Sequence, residues 1–175
     1  MAIIVVIPYR DRGPQLDKLS ARLQQCREVD RVVVCEQDAG TLFNRGWCKN
    51  VGFLLADADP ADTVYFHDVD LLPGSQFSGY PAAAKGWVRH LYGHYHCLGG
   101  VVGMQACDFR ATNGFCNDLW QWGGEDRLLH EACLANRLVI DRSQFATRFA
   151  RNAYMGEMDA KGAVVTEALA RQRFR

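Results

Sequence analysis

A chain of 175 residues is long enough for one compact domain with a real core, and the whole of it reads as a single domain. Its hydrophobic share of 49% and charged share of 23% are ordinary for a globular protein. Twenty basic residues balance twenty acidic ones, so no net field draws the chain to nucleic acid or an anionic membrane, and an anionic substrate needs a local site.

Residues 2–8 (AIIVVIP) are rich in β-branched side chains and predict a buried strand. Residues 14–29 place leucines at 16, 19 and 23, a helical spacing, and 31–36 (RVVVCE) predict a second strand. Residues 44–58 predict a helix with Val51, Leu54 and Leu55 on one face. Residues 63–66 (TVYF) predict a third strand, which runs directly into His67-Asp68-Val69-Asp70. Strand, helix, strand, helix, strand is the pattern of a parallel α/β sheet. Beyond Pro73, strands are expected at 88–91 and 101–104, and irregular structure at 118–126. A helix is expected at 127–136, a short strand at 138–140 and a closing helix at 164–171.

No apolar run approaches the length that spans a bilayer. No basic segment or cleavage site precedes the opening apolar run, which therefore reads as a strand and not a signal peptide. Seven cysteines, with no CxxC pair among them, predict reduced thiols in a cytoplasmic protein.

Five clusters carry possible chemistry. Asp68 and Asp70 leave the end of a strand, where ligands bind in open α/β sheets. At i, i+2 they are expected on one side, where hard oxygen donors suit Mn²⁺ or Mg²⁺ bridging a diphosphate. A solvated pair closing the strand is the competing reading. Tyr9, Arg10 and Arg12 follow Pro8 at another strand end, suited to a nucleobase and phosphates, or else a charged loop. Phe43-Asn44-Arg45 opens a helix, where backbone N–H groups favour anions, although for the motif alone Asn44 as a plain N-cap with an ordinary first-turn arginine is the favoured reading. Trp120-Gln121-Trp122-Gly123-Gly124-Glu125-Asp126 sets sugar-stacking rings and two pliant glycines beside two carboxylates. Helix-dipole complementarity explains the acids but not the crowding of rings and glycines beside them. His90, His94, His96 and Cys97 match no zinc spacing and read as structural or acceptor-lining.

The segments IIVVIPYRDR (3–12), FNRGWCKNVGF (43–53), FHDVDLLP (66–73), GGVVGM (99–104) and FRATNGFCNDLWQWGGEDRLL (109–129) together resemble the β-1,4-galactosyltransferase family of inverting enzymes. They span about three-quarters of the chain. The resemblance implies a GT-A-type nucleotide-sugar-binding fold with a mixed, mainly parallel central sheet flanked by helices. It implies a UDP-sugar donor, galactose or N-acetylgalactosamine, a carbohydrate acceptor, β-linked product and a required Mn²⁺ or Mg²⁺. Position by position, Pro8, Tyr9, Arg10, Arg12, Phe43, Arg45, Asp68, Val69, Trp122, Gly123 and Gly124 match nucleotide-sugar contacts. Asp70 matches the metal ligand, and Glu125 with Asp126 match the acidic pair, the second being the general base. A carboxylate at a helix N-terminus is expected to be a weak base.

The chain departs from the family pattern in three places. Family members complete the metal site with a histidine, and ungapped counting puts Met155 there, with Glu157, Met158 and Asp159 nearby. A weakened site implies the alternative of a catalytically impaired relative that binds nucleotide-sugar or glycan. Cys97 stands where the family usually has a tyrosine crowding the donor C2 substituent, so N-acetylgalactosamine is expected to fit. The family's luminal members carry an anchor and disulfides, which this sequence does not show.

Overall fold

The structure, a computed structural model, describes residues 1–121, 123–147 and 154–165. Strands β1 (Ile3–Tyr9), β2 (Arg31–Glu36) and β3 (Thr63–His67) pair in parallel, with β1 in the middle. Strand β6 (Val101–Gln105) lies antiparallel between β3 and β5 (Trp87–Gly93). Beyond β5, β7 (Val139–Asp141) and β8 (Ala146–Thr147) are parallel to it. The sheet runs β2-β1-β3-β6-β5-β7, mixed and mainly parallel, as the resemblance implied. A two-stranded ladder of β4 (Leu71–Pro73) and β9 (Met155–Glu157) stands apart from it.

Alternation along β1 sorts the core into two layers. Ile3, Val5 and Ile7 face the layer that holds Leu19 and Leu23 of helix α1 (Gly13–Leu23). Ile4 and Val6 face the other layer. It is built with Phe53 of α2 (Arg45–Leu55), Phe109 of α3 (Ala106–Ala111) and Leu129 of α4 (Glu125–Ala135). Each β1 side chain from Ile4 to Ile7 is fully buried, which anchors the strand whose carboxyl end carries the site.

Three boundaries differ from expectation. Helix α1 stops at Leu23, the last leucine of its stripe, and the chain turns back so that Asp30 N–H donates to the Ile3 carbonyl at 2.9 Å. Helix α4 begins at Glu125, two residues early, because carboxylates complement the positive end of a helix. Its N-cap, Gly124, has φ of 100°, a conformation that favours glycine. Val164 forms an isolated bridge with Met158, and the rest of the expected closing helix lies outside the described residues. All seven cysteines are unpaired, and no described helix is long and apolar enough to cross a membrane.

Candidate active site

The carboxyl ends of β1 and β3 and the amino ends of α2 and α4 meet around one ion-paired cluster. Arg45, in the first turn of α2, donates from Nε to Glu125 Oε1 at 2.6 Å. Its other nitrogens reach Asp68 Oδ2 at 3.0 Å and Asp126 Oδ2 at 2.9 Å. One turn further along α2, Lys49 is fully buried and lies 3.1 Å from Asp68 Oδ1 and 3.5 Å from Asp126 Oδ1. The N-cap of α2 is Asn44, as expected, and its side chain accepts from Trp47 N–H at 2.8 Å. Gln121 N–H donates to the Phe43 carbonyl at 2.7 Å, tying the tryptophan-glycine loop to this helix start.

Two cavities open from the cluster. The first, about 340 Å³, is lined by Pro8, Arg10, Arg12, Phe43, Val69 and Gln121 among others. The second, about 160 Å³, is lined by Tyr92, His94, Cys97, Gly99, Asp126 and Glu157 among others. Arg45, Asp68 and Asp70 border both, so the two are halves of one cleft. The Arg10 guanidinium sits 5.0 Å from the centre of the Phe43 ring, a cationic and aromatic pair at the far end of the first cavity. Gly99 is required by close approach, since a Cβ there would run into the Asp126 carboxylate. Leu98 N–H donates to the Asp126 carbonyl at 3.0 Å and holds that loop against α4.

Burial alone would raise the Asp68 carboxyl, but Arg45 and Lys49 outweigh it and pull it down to about 2. Asp126 is raised above the ordinary carboxylate value by burial, with Asp68 and Glu125 adding to it and Lys49 and Arg45 offsetting part. That reverses the expectation of a weak base: lost solvation and two neighbouring carboxylates outweigh the helix end. Asp70 is raised by burial and by Asp68, with Arg12 offsetting part.

Most of the expected nucleotide contacts gather here, but five expected site residues line neither cavity. Tyr9 alternates with Pro8 and Arg10 and packs against the α1 layer, so Phe43 supplies the aromatic face. Glu125 is 3% exposed and clamped by Arg45. Met155 is 1% exposed in the apolar core, where its thioether borders neither cavity. Gly123 and Gly124 have left-handed backbone but line neither cavity, and Trp122 lies outside the described residues. Asp68 and Asp70 do not share a strand face. The strand ends at His67, and a turn follows in which Leu71 N–H donates to the Asp68 carbonyl at 3.1 Å. Asp68 therefore points to Arg45 and Lys49, while Asp70, 45% exposed, faces Arg12 at 3.6 Å.

Among the described residues no three His, Cys, Asp or Glu side chains form a metal cage. Mn²⁺ and Mg²⁺ need no such cage when one or two carboxylates and substrate phosphates suffice. Asp70 beside a cleft lined by arginines fits a cation that arrives with a diphosphate.

His90 is structural. Its Nε2–H donates to the Gly99 carbonyl at 3.1 Å, and its Nδ1 accepts from Arg142 Nε at 3.1 Å. Burial, then Arg142 and His130, lower it to about 3, and burial with Lys49 lowers His67 to about 4. Each therefore takes up a proton on unfolding below its free value of 6.5. Their stabilisation is complete above that value and is lost as pH falls through the folded values. Unfolding free energy from urea titrations is expected to drop between pH 6 and 4 by roughly 1.4 kcal/mol per pH unit for each histidine. A flat profile across that window would contradict this.

Fold and cleft define a GT-A domain, in which the acid-bearing turn after a parallel strand meets the start of a helix on the sheet's carboxyl edge. Residues 1–82 match the model for the N-terminal region of glycosyl transferase group 7, and residues 87–155 that for the N-terminal domain of galactosyltransferase. The chain is 37% identical to rat (Rattus norvegicus) β-1,4-galactosyltransferase 6 over 137 residues, 71% of this chain and 36% of that protein. It is 28% identical to Caenorhabditis elegans xylosylprotein 4-β-galactosyltransferase over 152 residues, 80% of this chain and 53% of that protein. The catalytic domain of Drosophila β-1,4-galactosyltransferase 7, solved with xylobiose, superposes with a TM-score of 0.75 at 26% identity, covering 90% of this chain and 71% of that one. A mutant of the same fly enzyme, solved with manganese, UDP-Gal and xylobiose, matches equally well at 25% identity. The chain belongs to the β-1,4-galactosyltransferase family. It spans about a third to a half of the length of the curated relatives it matches.

Proposed function

We propose that this domain transfers galactose or N-acetylgalactosamine from a UDP-sugar to a carbohydrate hydroxyl, inverting the anomeric centre to give a β-linkage. The observation that carries the reading is the divided cleft. An arginine- and phenylalanine-lined half suited to a nucleoside diphosphate joins a half that presents Asp126, with Arg45, Asp68 and Asp70 at the junction. The relatives' galactosyltransferase names and the fly complex with UDP-Gal and manganese support it.

In this reading Arg10 and Arg12 bind phosphate oxygens, and Phe43 meets the uracil face. Asp126 takes the proton of the acceptor hydroxyl as its oxygen bonds to the anomeric carbon from the face opposite the diphosphate. The bond to the diphosphate oxygen breaks in the same displacement, and its electron pair leaves on UDP. Arg45 and Lys49 hold Asp126 in place and keep Asp68 ionised. A bound Mn²⁺ or Mg²⁺, held by Asp70, supplies charge that offsets the leaving diphosphate.

Incubation with UDP-Gal or UDP-GalNAc and a panel of sugar acceptors, with and without Mn²⁺, tests the reading through UDP release and the anomeric coupling of the product. Binding without turnover under every condition would favour the impaired relative. Cys97 borders the half-cleft that holds Asp126, and its thiol leaves room for a C2 acetamido group. Both donors are expected to serve, and Cys97→Tyr should cut UDP-GalNAc use by roughly 10- to 100-fold while sparing UDP-Gal. An unchanged donor ratio would remove Cys97 from donor choice.

A further inference from the structure

The ladder of β4 and β9 brings a second carboxylate to the metal side of the cleft. Glu157 stands opposite Leu71, and Met158 N–H donates to the Asp70 carbonyl at 2.7 Å, so the backbones at Asp70 and Glu157 run side by side. Both residues border the half-cleft that contains Asp126. In the lining of that half-cleft, the Tyr92 hydroxyl donates to Glu157 Oε1 at 3.3 Å. Tyr92 is 2% exposed in the central sheet, so it fixes the carboxylate's direction from a rigid wall. Arg12 approaches Asp70 only to 3.6 Å, and both side chains are nearly half exposed, a loose pair that a cation and a phosphate can exchange for closer partners.

We propose that Glu157, and not Met155, is the second protein ligand of the divalent cation, giving an all-oxygen site of Asp70 and Glu157 completed by diphosphate oxygens and water. The proposal rests on the UDP-sugar transferase reading above. Two carboxylates plus substrate phosphates is a sufficient set for Mn²⁺ or Mg²⁺. Hard donors alone give no advantage to a softer ion, whereas a histidine in the set would favour one. The domain should therefore bind Mg²⁺ and Mn²⁺ with affinities within roughly tenfold of each other in the presence of UDP.

Uptake of Mn²⁺ by the purified chain with UDP, followed through the electron paramagnetic resonance of free Mn²⁺, is the test. Glu157→Gln is expected to weaken Mn²⁺ uptake at least roughly tenfold, while UDP affinity in chelator-treated buffer and the melting temperature stay as in wild type. Glu157→His should recover Mn²⁺ uptake and raise the preference for Co²⁺ or Zn²⁺ over Mg²⁺. Uptake by Glu157→Gln equal to wild type, with Asp70→Asn defective, would overturn the ligand assignment and leave the transferase reading standing. A wild-type chain that binds no Mn²⁺ with UDP would bring down both.

Discussion

Asp126→Asn is expected to lose transfer by roughly 10²- to 10⁴-fold in kcat, with UDP affinity changed by only a few-fold. The amide keeps the size of the carboxylate and still has an oxygen to accept from Arg45, while its NH2 gives up the longer 3.5 Å contact from Lys49. The change therefore removes the proton acceptor and one weak contact. The nucleotide half is lined by Pro8, Arg10, Arg12 and Phe43 and does not include Asp126, which is why binding is spared. Burial and the carboxylates of Asp68 and Glu125 hold Asp126 above the ordinary carboxylate range. A raised value makes it the better base once ionised. It also places the acid limb of the rate profile above the 3.8 of a free aspartate, with activity lost as pH falls through that limb. Initial rates across pH with saturating donor would show both effects. A variant that keeps transfer within tenfold of wild type would mean that another group takes the proton.

The strand ends and their charged turns were legible because composition changes sharply there. A β-branched run followed by Tyr9, Arg10, Asp11 and Arg12, or by Asp68 and Asp70, marks the carboxyl edge of a parallel sheet before any coordinates are known. The place of Tyr9 outside the cleft lining was legible too. Strand alternation puts Pro8 and Arg10 on one side and Tyr9 on the other. Lys49 was missed because a lysine on a helix is normally a solvated residue, although its i, i+4 spacing from Arg45 set both cations on one face. In the sequence Glu157 is only a near neighbour of Met155. Choosing between them needs the β4–β9 pairing, a contact between residues far apart in the chain that no local pattern encodes. The turn at Asp68 was hidden for a similar reason. Where a strand stops is decided by its partner, and β6 pairs with β3 only as far as His67.

Arg45→Ala is the substitution expected to cost the most stability, about 3–5 kcal/mol at neutral pH. Arg45 is the hydrogen-bonded partner of Glu125, Asp68 and Asp126, and without it Lys49 alone remains, reaching only Asp68 and Asp126. Glu125 suffers most, being 3% exposed, so water cannot replace the lost donor without opening the junction of α2 and α4. The deficit should shrink as pH falls, because carboxylates that lose their counter-ion become easier to protonate, and a protonated acid tolerates burial. Asp68 shows the sign of the effect. Held near 2 in the intact cluster despite its burial, it stabilises the fold above its free value of 3.8 and gives up that contribution as pH drops toward 2. In the variant only the part that Lys49 supplies is left, so the two stability curves converge in acid. Urea titrations of both proteins at pH 7 and pH 3 measure this directly, and Glu125→Gln in the Arg45→Ala background should recover part of the loss. A variant within about 1 kcal/mol of wild type at pH 7 would show that Lys49 and solvent suffice for all three acids, and that the cluster positions Asp126 without holding the helices together.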